Sequence, residues 1–302
     1  MSRRAAPQPS QPSRRVSRRD IPRSATELEF PATDVVVPDA ASDPFHERFT
    51  PDVTMARDIA TDRTLADVAS QVVACRACPR LVEWRERAGR EKVARFSGWT
   101  YWARPVPGYG DASARIAVVG LAPAANGGNR TGRVFTGDRS GDLLFAAMFR
   151  AGLANQPTST SVDDGLVLRD AYVTAAVRCA PPQNRPLPAE RDRCLPYMVR
   201  ELRLLGDVRT IVALGAFGWE ATFRALAVLG HPVRPRPRFG HGAQARVGPY
   251  HVVGCFHPSQ QNTFTGRLTA TMVDDVLREA RRLAELDAPP STGRDPALTP
   301  GT

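Results

Sequence analysis

Four of the five cysteines are spaced in a way that suits a metal or cluster site. Cys75 and Cys78 form a C-x-x-C pair, Cys179 lies in the run VRCAPP, and Cys194 follows 15 positions later. Four thiolates can complete a tetrahedral site, and a C-x-x-C pair places two of them on one side of a metal or cluster. A zinc ribbon would normally show a second C-x-x-C pair, which the sequence lacks. The uneven spacing and the prolines after Cys78 and Cys179 therefore favour an iron–sulfur cluster.

The alternative is a purely structural role, in which Cys179 and Cys194 are small core residues, because free cysteine is commonly buried. Cys255, between Gly254 and Phe256, is predicted to be such a core residue. Five cysteines in 302 residues are too few for a disulfide framework, so the cysteines are expected to stay reduced in a cytosolic protein.

Two other segments carry residue types suited to electrostatic catalysis. Asp138 lies in FTGDRSG, where the flanking glycines permit a tight loop, and its carboxylate could stabilise positive charge or position a water molecule. His257 opens the segment HPSQQNTFTGR and could donate a hydrogen bond to a substrate carbonyl. Each has a purely structural alternative: Asp138 could cap the next helix, and His257 could merely order its loop.

These residues follow predicted strands. Apolar runs predict buried strands, and the segments between them predict helices, so strand, loop and helix alternate as in an α/β protein with a mostly parallel sheet. The predicted strands are residues 116–119, 171–177, 210–214 and 251–256; the predicted helices are residues 64–75, 143–151, 190–205, 215–226 and 272–286. Ligands bind outside the carboxyl ends of such strands, which is where the loops rich in Gly, Asn, His and Pro lie.

The amino-acid composition limits the class of protein and the partners that it can have. With 42% hydrophobic and 24% charged residues, the chain is typical of a globular protein, and it has no apolar run long enough to span a membrane. No secretory signal is recognisable, so a cytoplasmic location is expected. The net charge is +10, and residues 1–24 supply +6 of it, which makes a polyanionic partner plausible.

Both ends lack apolar pattern. Residues 1–64 and 287–302 are rich in Pro and polar residues and are predicted to be disordered, which leaves one domain over residues 65–286. The N-terminal segment is either an arm that holds DNA, or a solvated tail or a start codon assigned too early, with Met55 close to where the pattern begins; the second interpretation is favoured.

Three long motifs lie among the four cysteines: GLAPAANGGNRTGRVFTGD at 120–138, VRCAPPQNRPLP at 177–188 and HPSQQNTFTGRLT at 257–269. Together they resemble the family 5 (type b) uracil-DNA glycosylases, an iron–sulfur branch of their superfamily. The resemblance implies a three-layer α/β/α fold around a four-stranded parallel sheet and a [4Fe-4S] cluster on Cys75, Cys78, Cys179 and Cys194. It also implies a monofunctional hydrolase of base excision repair that flips uracil, hypoxanthine or xanthine out of single- or double-stranded DNA and excises it.

The resemblance also assigns roles to single residues. Cleavage of an N-glycosidic bond puts positive charge on the sugar and negative charge on the departing base, so Asp138 and His257 become the expected catalytic pair. Asn184, in PPQNRP, matches an active-site Asn of the family; its alternative is a turn residue.

A flipped base needs a ring to stack on and groups that read its edge. Phe135 aligns with the stacking Phe of related enzymes, although it could be an ordinary core residue, and Asn126 can offer an amide to the base. Family 4 enzymes read uracil with an Asn where this chain has Ala175. That difference implies a broader range of substrates.

Contacts to DNA outside the base pocket are expected from the same loops. Phe264 is the candidate wedge into the base stack, and Arg267 is expected near phosphate, although surface loops often carry such residues without a role in binding. Five arginines of the other loops could form a phosphate track or lie there by chance: Arg130, Arg133, Arg139, Arg178 and Arg185. Of these, Arg130 and Arg133 are the expected DNA contacts.

Two other classes of protein stay open. A non-enzymatic, metal-stabilised nucleic-acid-binding protein would keep the cysteines and arginines without needing Asp138 or His257. A nucleotide-binding Rossmann enzyme is disfavoured, because GLAPAANGGNRTG lacks the G-x-G-x-x-G spacing and no acidic residue follows at the expected distance. A monomer is expected.

Overall fold

The computed structural model describes residues 63–286, which contain one mixed sheet. Its strands are β1 (Tyr109–Gly110), β2 (Ile116–Gly120), β3 (Ala171–Ala175), β4 (Thr210–Leu214), β5 (Gln244–Val247) and β6 (Tyr250–Cys255). They lie in the order β1-β3-β2-β4-β6-β5. The four strands predicted from the sequence form the parallel centre, β3-β2-β4-β6, which confirms the α/β prediction. The expected four-stranded sheet is nevertheless wider, because β1 and β5 pair antiparallel at its two edges.

The parallel strands are buried on both faces. Every residue of β2, β3 and β4 is buried, and alternate residues enter different cores. Ile116 and Val118 pack in one core, whereas Ala117 and Val119 pack in the other. This arrangement explains why the strands appear as continuous apolar runs in the sequence.

Eight α-helices are described: α1 (Leu65–Ala74), α2 (Pro79–Arg90), α3 (Gly128–Thr131), α4 (Arg139–Arg150), α5 (Pro188–Leu204), α6 (Gly215–Val228), α7 (Gln260–Phe264) and α8 (Ala270–Leu286). Two 3-10 helices, Ala94–Phe96 and Pro182–Asn184, lie between them. Residues of α4 and α8 share the core that contains Val118, and residues of α5 and α6 share the core that contains Val119. The three-layer α/β/α architecture is therefore confirmed for the described residues. None of these helices is long and apolar enough to cross a membrane.

The N-terminal helices lie outside the two main layers. The α1 helix begins with a reciprocal cap: Thr64 Oγ1 accepts from the Asp67 amide at 3.2 Å, and Asp67 Oδ2 accepts from the Thr64 amide at 2.9 Å. It then packs on α5. The α2 helix, which the sequence analysis did not predict, begins with Pro79 and points Leu81 and Arg85 inward.

The parallel strands all end at one edge of the sheet. Gly120 pairs with Ala175, and Leu214 pairs with Cys255, so the loops that follow the four strands start side by side. Apart from Arg63 and Thr64, the tails predicted over residues 1–64 and 287–302 lie outside the described residues.

Candidate active site

Phe135 lies over the end of β2. Its backbone has a φ of 55°, in the left-handed region that a bulky residue rarely adopts. A Cβ on Gly120 would stand 2.6 Å from Phe135 Cε2, and a Cβ on Gly141 would stand 1.8 Å from the Phe135 carbonyl oxygen. The two glycines are therefore required for the Phe135 ring to reach the strand end.

Asp138 is the N-cap of α4. Its Oδ1 accepts a hydrogen bond from the Gly141 amide at 3.0 Å, so the capping alternative considered for this residue is correct. The second oxygen, Oδ2, faces Gly127, where a Cβ would lie only 2.0 Å away. Burial raises the pKa of Asp138, and hydrogen bonds from the Gly141 and Ser140 amides oppose that rise. The cap thus holds the carboxylate in place.

His257 follows β6 and lies beside Phe135, with 5.9 Å between the ring centroids. Its Nε2 is buried and has no hydrogen-bond partner among the described residues. Burial lowers the pKa of His257 to about 4, so the imidazole is neutral at pH 7. Gly215, with a φ of 81°, leaves room for it, since a Cβ there would stand 3.2 Å from His257 Cβ. A neutral, buried imidazole with an unused ring nitrogen can donate a hydrogen bond to a ligand.

The loop after His257 is held by its own side chains. Asn262 Nδ2 donates to the His257 carbonyl oxygen at 2.8 Å, and Ser259 caps α7. At the end of α7, Phe264 is 69% exposed, and the guanidinium of Arg139 lies 5.1 Å from its ring centroid. The candidate wedge therefore contacts the residue that directly follows Asp138. Arg267 is also exposed and packs over Phe256 at 4.5 Å.

The remaining predicted base contacts differ in accessibility. Asn126 is exposed, and its Oδ1 accepts from the Tyr101 hydroxyl at 2.9 Å. Ala175 is fully buried at the end of β3, in the same core cluster as Phe135. Asn184 is exposed with a φ of 55°, and no described hydrogen bond joins its side chain to Asp138 or His257. The structure thus brings Phe135 and His257 into contact, with Asp138 in the loop of Phe135, and shows no such contact for Asn184 among the described residues.

The predicted phosphate contacts of Arg130 and Arg133 require correction, because both side chains are buried. Arg133 Nη2 lies 2.7 Å from both carboxylate oxygens of Asp164 and also donates to Ser159. Arg130 Nε donates to the Asn126 carbonyl oxygen at 2.8 Å, and Nη2 donates to the Gly137 carbonyl oxygen at 3.1 Å.

Arg178 is buried too. It forms an ion pair with Glu201, whose carboxylate also accepts from the Thr174 hydroxyl. Of the five loop arginines, only Arg139 and Arg185 are exposed. The prediction that all five loop arginines form a phosphate track is therefore wrong, because three of them have buried side chains that stabilise loops and strand ends.

The four cysteines singled out in the sequence come together from three elements. Cys75 and Cys78 lie between α1 and α2, Cys179 follows β3, and Cys194 lies in α5. Cys78, Cys179 and Cys194 share one buried cluster. The Tyr197 hydroxyl, also on α5, hydrogen-bonds to Cys75, which brings the fourth thiol to the same place.

Cationic groups surround these thiols. Arg85 Nη1 donates to Cys179 Sγ at 2.9 Å, although Arg85 is almost fully buried. Arg193 hydrogen-bonds to Cys78. Burial raises the pKa of Cys179 to about 11 and that of Cys194 to about 12, so both are neutral thiols without a metal. Over residues 63–286, no three His, Cys, Asp or Glu side chains are arranged to hold a single metal ion.

Several contacts that build this site were not predicted from the sequence. Asn262 holds the His257 loop, Tyr101 holds Asn126, and Arg130 joins the Asn126 loop to the Gly137 loop. Tyr101 and Asn126 lie 25 positions apart, and the contacts of Asn262 and Arg130 span four to seven positions within loops, where no periodic pattern sets the direction of a side chain.

Comparison with known proteins identifies close relatives. Residues 107–281 match the family model described as Uracil DNA glycosylase superfamily. A protein of Mycobacterium bovis named Type-5 uracil-DNA glycosylase is 51% identical over 226 residues, which cover 74% of this chain and 83% of the relative. A Type-5 uracil-DNA glycosylase of Thermus thermophilus is 50% identical over 71% of this chain and 96% of the relative. A Type-4 uracil-DNA glycosylase of Pyrobaculum aerophilum is 34% identical over 40% of this chain and 54% of the relative.

Proposed function

The chain belongs to the Uracil DNA glycosylase superfamily, as its motifs predict, and on that premise we propose that it excises uracil from DNA. It hydrolyses the N-glycosidic bond and leaves an abasic site, as a DNA repair enzyme. The observation that carries this proposal is the contact between Phe135 and the neutral His257 at the carboxyl edge of the sheet, with the capped Asp138 carboxylate three residues after Phe135.

Asp138 acts on the sugar side of the bond. As the bond breaks, positive charge develops on the deoxyribose, and a carboxylate or the water that it holds can stabilise that charge. The cap on Oδ1 fixes the carboxylate before substrate arrives. Because the group is preorganised, little reorganisation is needed in the transition state.

His257 acts on the base side. Negative charge develops on the leaving uracil, and a hydrogen bond from a neutral imidazole to a base carbonyl stabilises it. The lowered pKa supports this role, because the ring carries no net charge before the reaction and the buried Nε2 has no competing described partner. This is the use of a neutral imidazole as an electrophile rather than as a charged acid.

The base must leave the duplex before these groups can act. The Phe135 ring offers a stacking surface beside His257, and the exposed Phe264 fills the gap left in the base stack. Arg267 contacts phosphate. The small Ala175 supports excision of hypoxanthine and xanthine as well as uracil, because alanine has no side-chain amide that would hydrogen-bond selectively to the edge of uracil. We expect the enzyme to act as a monomer in the cytoplasm.

The four cysteines fit a [4Fe-4S] cluster, in which each iron takes one thiolate. Their donor set is all sulfur, and it is largely buried. The Arg85, Arg178 and Arg193 cations lie among the thiols, where they would offset the negative charge of four thiolates. When bound, the cluster would serve as a cross-link between α2, the loop after β3 and α5.

Single-turnover cleavage of a uracil-containing oligonucleotide tests the chemistry. Asp138→Asn and His257→Ala remove interactions that matter mainly in the transition state, so both should slow cleavage much more than they weaken DNA binding. We expect losses of about 10²- to 10⁴-fold for Asp138→Asn and about 10²-fold for His257→Ala.

Arg267→Ala is the matched control. It should weaken DNA binding and reduce its salt dependence, while the rate at saturating enzyme stays close to that of the wild type. If folded Asp138→Asn and His257→Ala variants both cleave at the wild-type rate, the assigned active site is wrong. If the wild type binds uracil-containing DNA but releases no base, the alternative of a non-enzymatic binding protein is correct.

A further inference from the structure

A basic, aromatic segment borders the candidate active site. We call residues 92–104 the rim segment. It begins with Lys92, the only lysine of the chain, and contains two exposed tryptophans: Trp99 is 43% exposed and Trp102 is 36% exposed. Arg95 and Arg104 are its other cations, and the segment contains no acidic residue. Such a surface is complementary to a polyanion that has aromatic bases.

Hydrogen bonds fix the rim segment to the loop that carries Asn126. The Tyr101 hydroxyl donates to Asn126 Oδ1 at 2.9 Å. The Trp102 amide donates to the Arg130 carbonyl oxygen at 3.0 Å, and the Ala103 amide donates to the Asn129 carbonyl oxygen at 2.9 Å. The rim segment therefore lies directly beside the loop expected to hold the flipped base.

Arg130 holds the Trp99 ring in place. Its guanidinium carbon lies 4.2 Å from the Trp99 ring centroid and 4.0 Å from that of Phe96, while its nitrogens donate to the Asn126 and Gly137 carbonyl oxygens. Phe96 also meets Trp99 edge to face, with centroids 6.1 Å apart. An indole held by a cation and a second ring loses little entropy on binding, yet much of this one remains exposed.

We propose that Trp99 is a stacking platform for an unpaired nucleotide that flanks the flipped base in the same DNA. This inference rests on the proposed function, since the ligand is the substrate of the same site. The ring is sequence-tolerant, because every base has a face that can stack, and the neighbouring cations face the backbone phosphates. Stacking on this platform would strengthen the binding of single-stranded DNA beside the flipped base.

A mutant cycle between protein and DNA tests this platform. The parent probe is a single-stranded oligonucleotide with one 2′-fluorodeoxyuridine, which resists cleavage. In a series of further probes, each flanking nucleotide in turn is replaced by a tetrahydrofuran spacer, which has no base. Dissociation constants are measured for the wild type, Trp99→Ala and the control Phe149→Ala. Phe149 is 45% exposed and lies near the far end of α4, about 16 Å along the helix axis from Asp138.

We expect Trp99→Ala to weaken binding by about 5- to 100-fold. Removing one particular flanking base should weaken wild-type binding by a similar factor and have little further effect on Trp99→Ala. Phe149→Ala should behave like the wild type. Additive effects at every flanking position would overturn the proposal, even if Trp99→Ala binds weakly.

Trp99→Leu covers the case in which Trp99→Ala is poorly folded, because leucine fills space beside Arg130 without offering a ring. If the Trp99→Leu variant is as sensitive as the wild type to removal of that flanking base, the platform is also overturned. Release of uracil from natural deoxyuridine by the wild type is measured in parallel. If that release fails, the proposed function fails; if it succeeds while no flanking base couples to Trp99, only the platform is wrong.

Discussion

At the end of β6, burial of His257 lowers its pKa from 6.5 to about 4. In the unfolded chain the imidazole takes up a proton as the pH falls through 6.5, whereas in the folded protein it does so only near pH 4. The unfolded state therefore binds more protons between these values. The stability that depends on keeping His257 neutral is therefore fully present above about pH 6.5, and it is lost as the pH falls to about 4.

We expect His257→Gln, which cannot titrate, to lose less stability on acidification than the wild type. The difference should reach up to about 3 kcal/mol at pH 4. Urea unfolding of both proteins at pH 7 and pH 4 measures it. His241, whose pKa burial also lowers, is present in both and does not affect the comparison. Equal losses in the two proteins would contradict a buried, neutral His257.

Ala175 is the residue at which specificity can be altered. It is fully buried in the core cluster of Phe135, so an amide placed there lies on the Phe135 side of the sheet. We expect Ala175→Asn to raise uracil excision relative to hypoxanthine excision by an amount worth about 1–3 kcal/mol. The unpaired amide should also lower the stability of the free enzyme. Competition between the two substrates measures the ratio; an unchanged ratio in folded protein would show that residue 175 does not reach the base.

Among the elements, the loop from β2 to α4 depends on Gly127. A methyl group there would stand 2.0 Å from Asp138 Oδ2, so the carboxylate or the loop must move. We expect Gly127→Ala to slow single-turnover cleavage by about 10²-fold, since a misplaced catalytic group loses rate steeply. Gly206→Ala is the control, because nothing lies within 4 Å of a Cβ at that position. Equal rates for the two variants would mean that Asp138 needs no fixed position.

The sequence predicted the central elements well because they are buried on both faces. Long apolar runs identified β2, β3, β4 and β6, and their common edge located the site. The α2 helix was missed because half of its residues are charged and only Leu81, Val82 and Arg85 are buried. The β1 strand, with two residues, and the β5 strand, with four mostly polar or small residues, give no recognisable periodicity.

The site was predictable in its residue types but not in its hydrogen bonds. Motifs identified Phe135, Asp138 and His257, whereas the direction of a long arginine side chain depends on partners elsewhere in the chain. Arg133 turns inward because Asp164 and Ser159 accept from it, and these lie 31 and 26 positions away. Asp138 caps α4, a role that the sequence offered only as an alternative to a catalytic carboxylate.

At the scale of the whole molecule, the four thiols of Cys75, Cys78, Cys179 and Cys194 lie together although they come from parts of the chain that are far apart in sequence. We expect anaerobically purified protein to be brown, to absorb near about 400 nm and to contain about four Fe per chain. Cys179→Ser should lose the colour and lower both the Tm and the folded yield. Cys255→Ala is the control, because Cys255 is buried away from that cluster and its variant should keep the iron. Stoichiometric zinc in protein made with ample iron would contradict the cluster.

The two antiparallel edge strands also bear on the behaviour of concentrated protein. A long, flat strand with unpaired backbone groups can recruit another chain and start aggregation. Here β1 offers only two residues beyond β3, and β5 places the exposed Arg246 along the other edge. The apolar parallel strands are thus shielded on both sides. Loss of β5 alone would uncover the backbone of β6, and aggregation would begin at that edge.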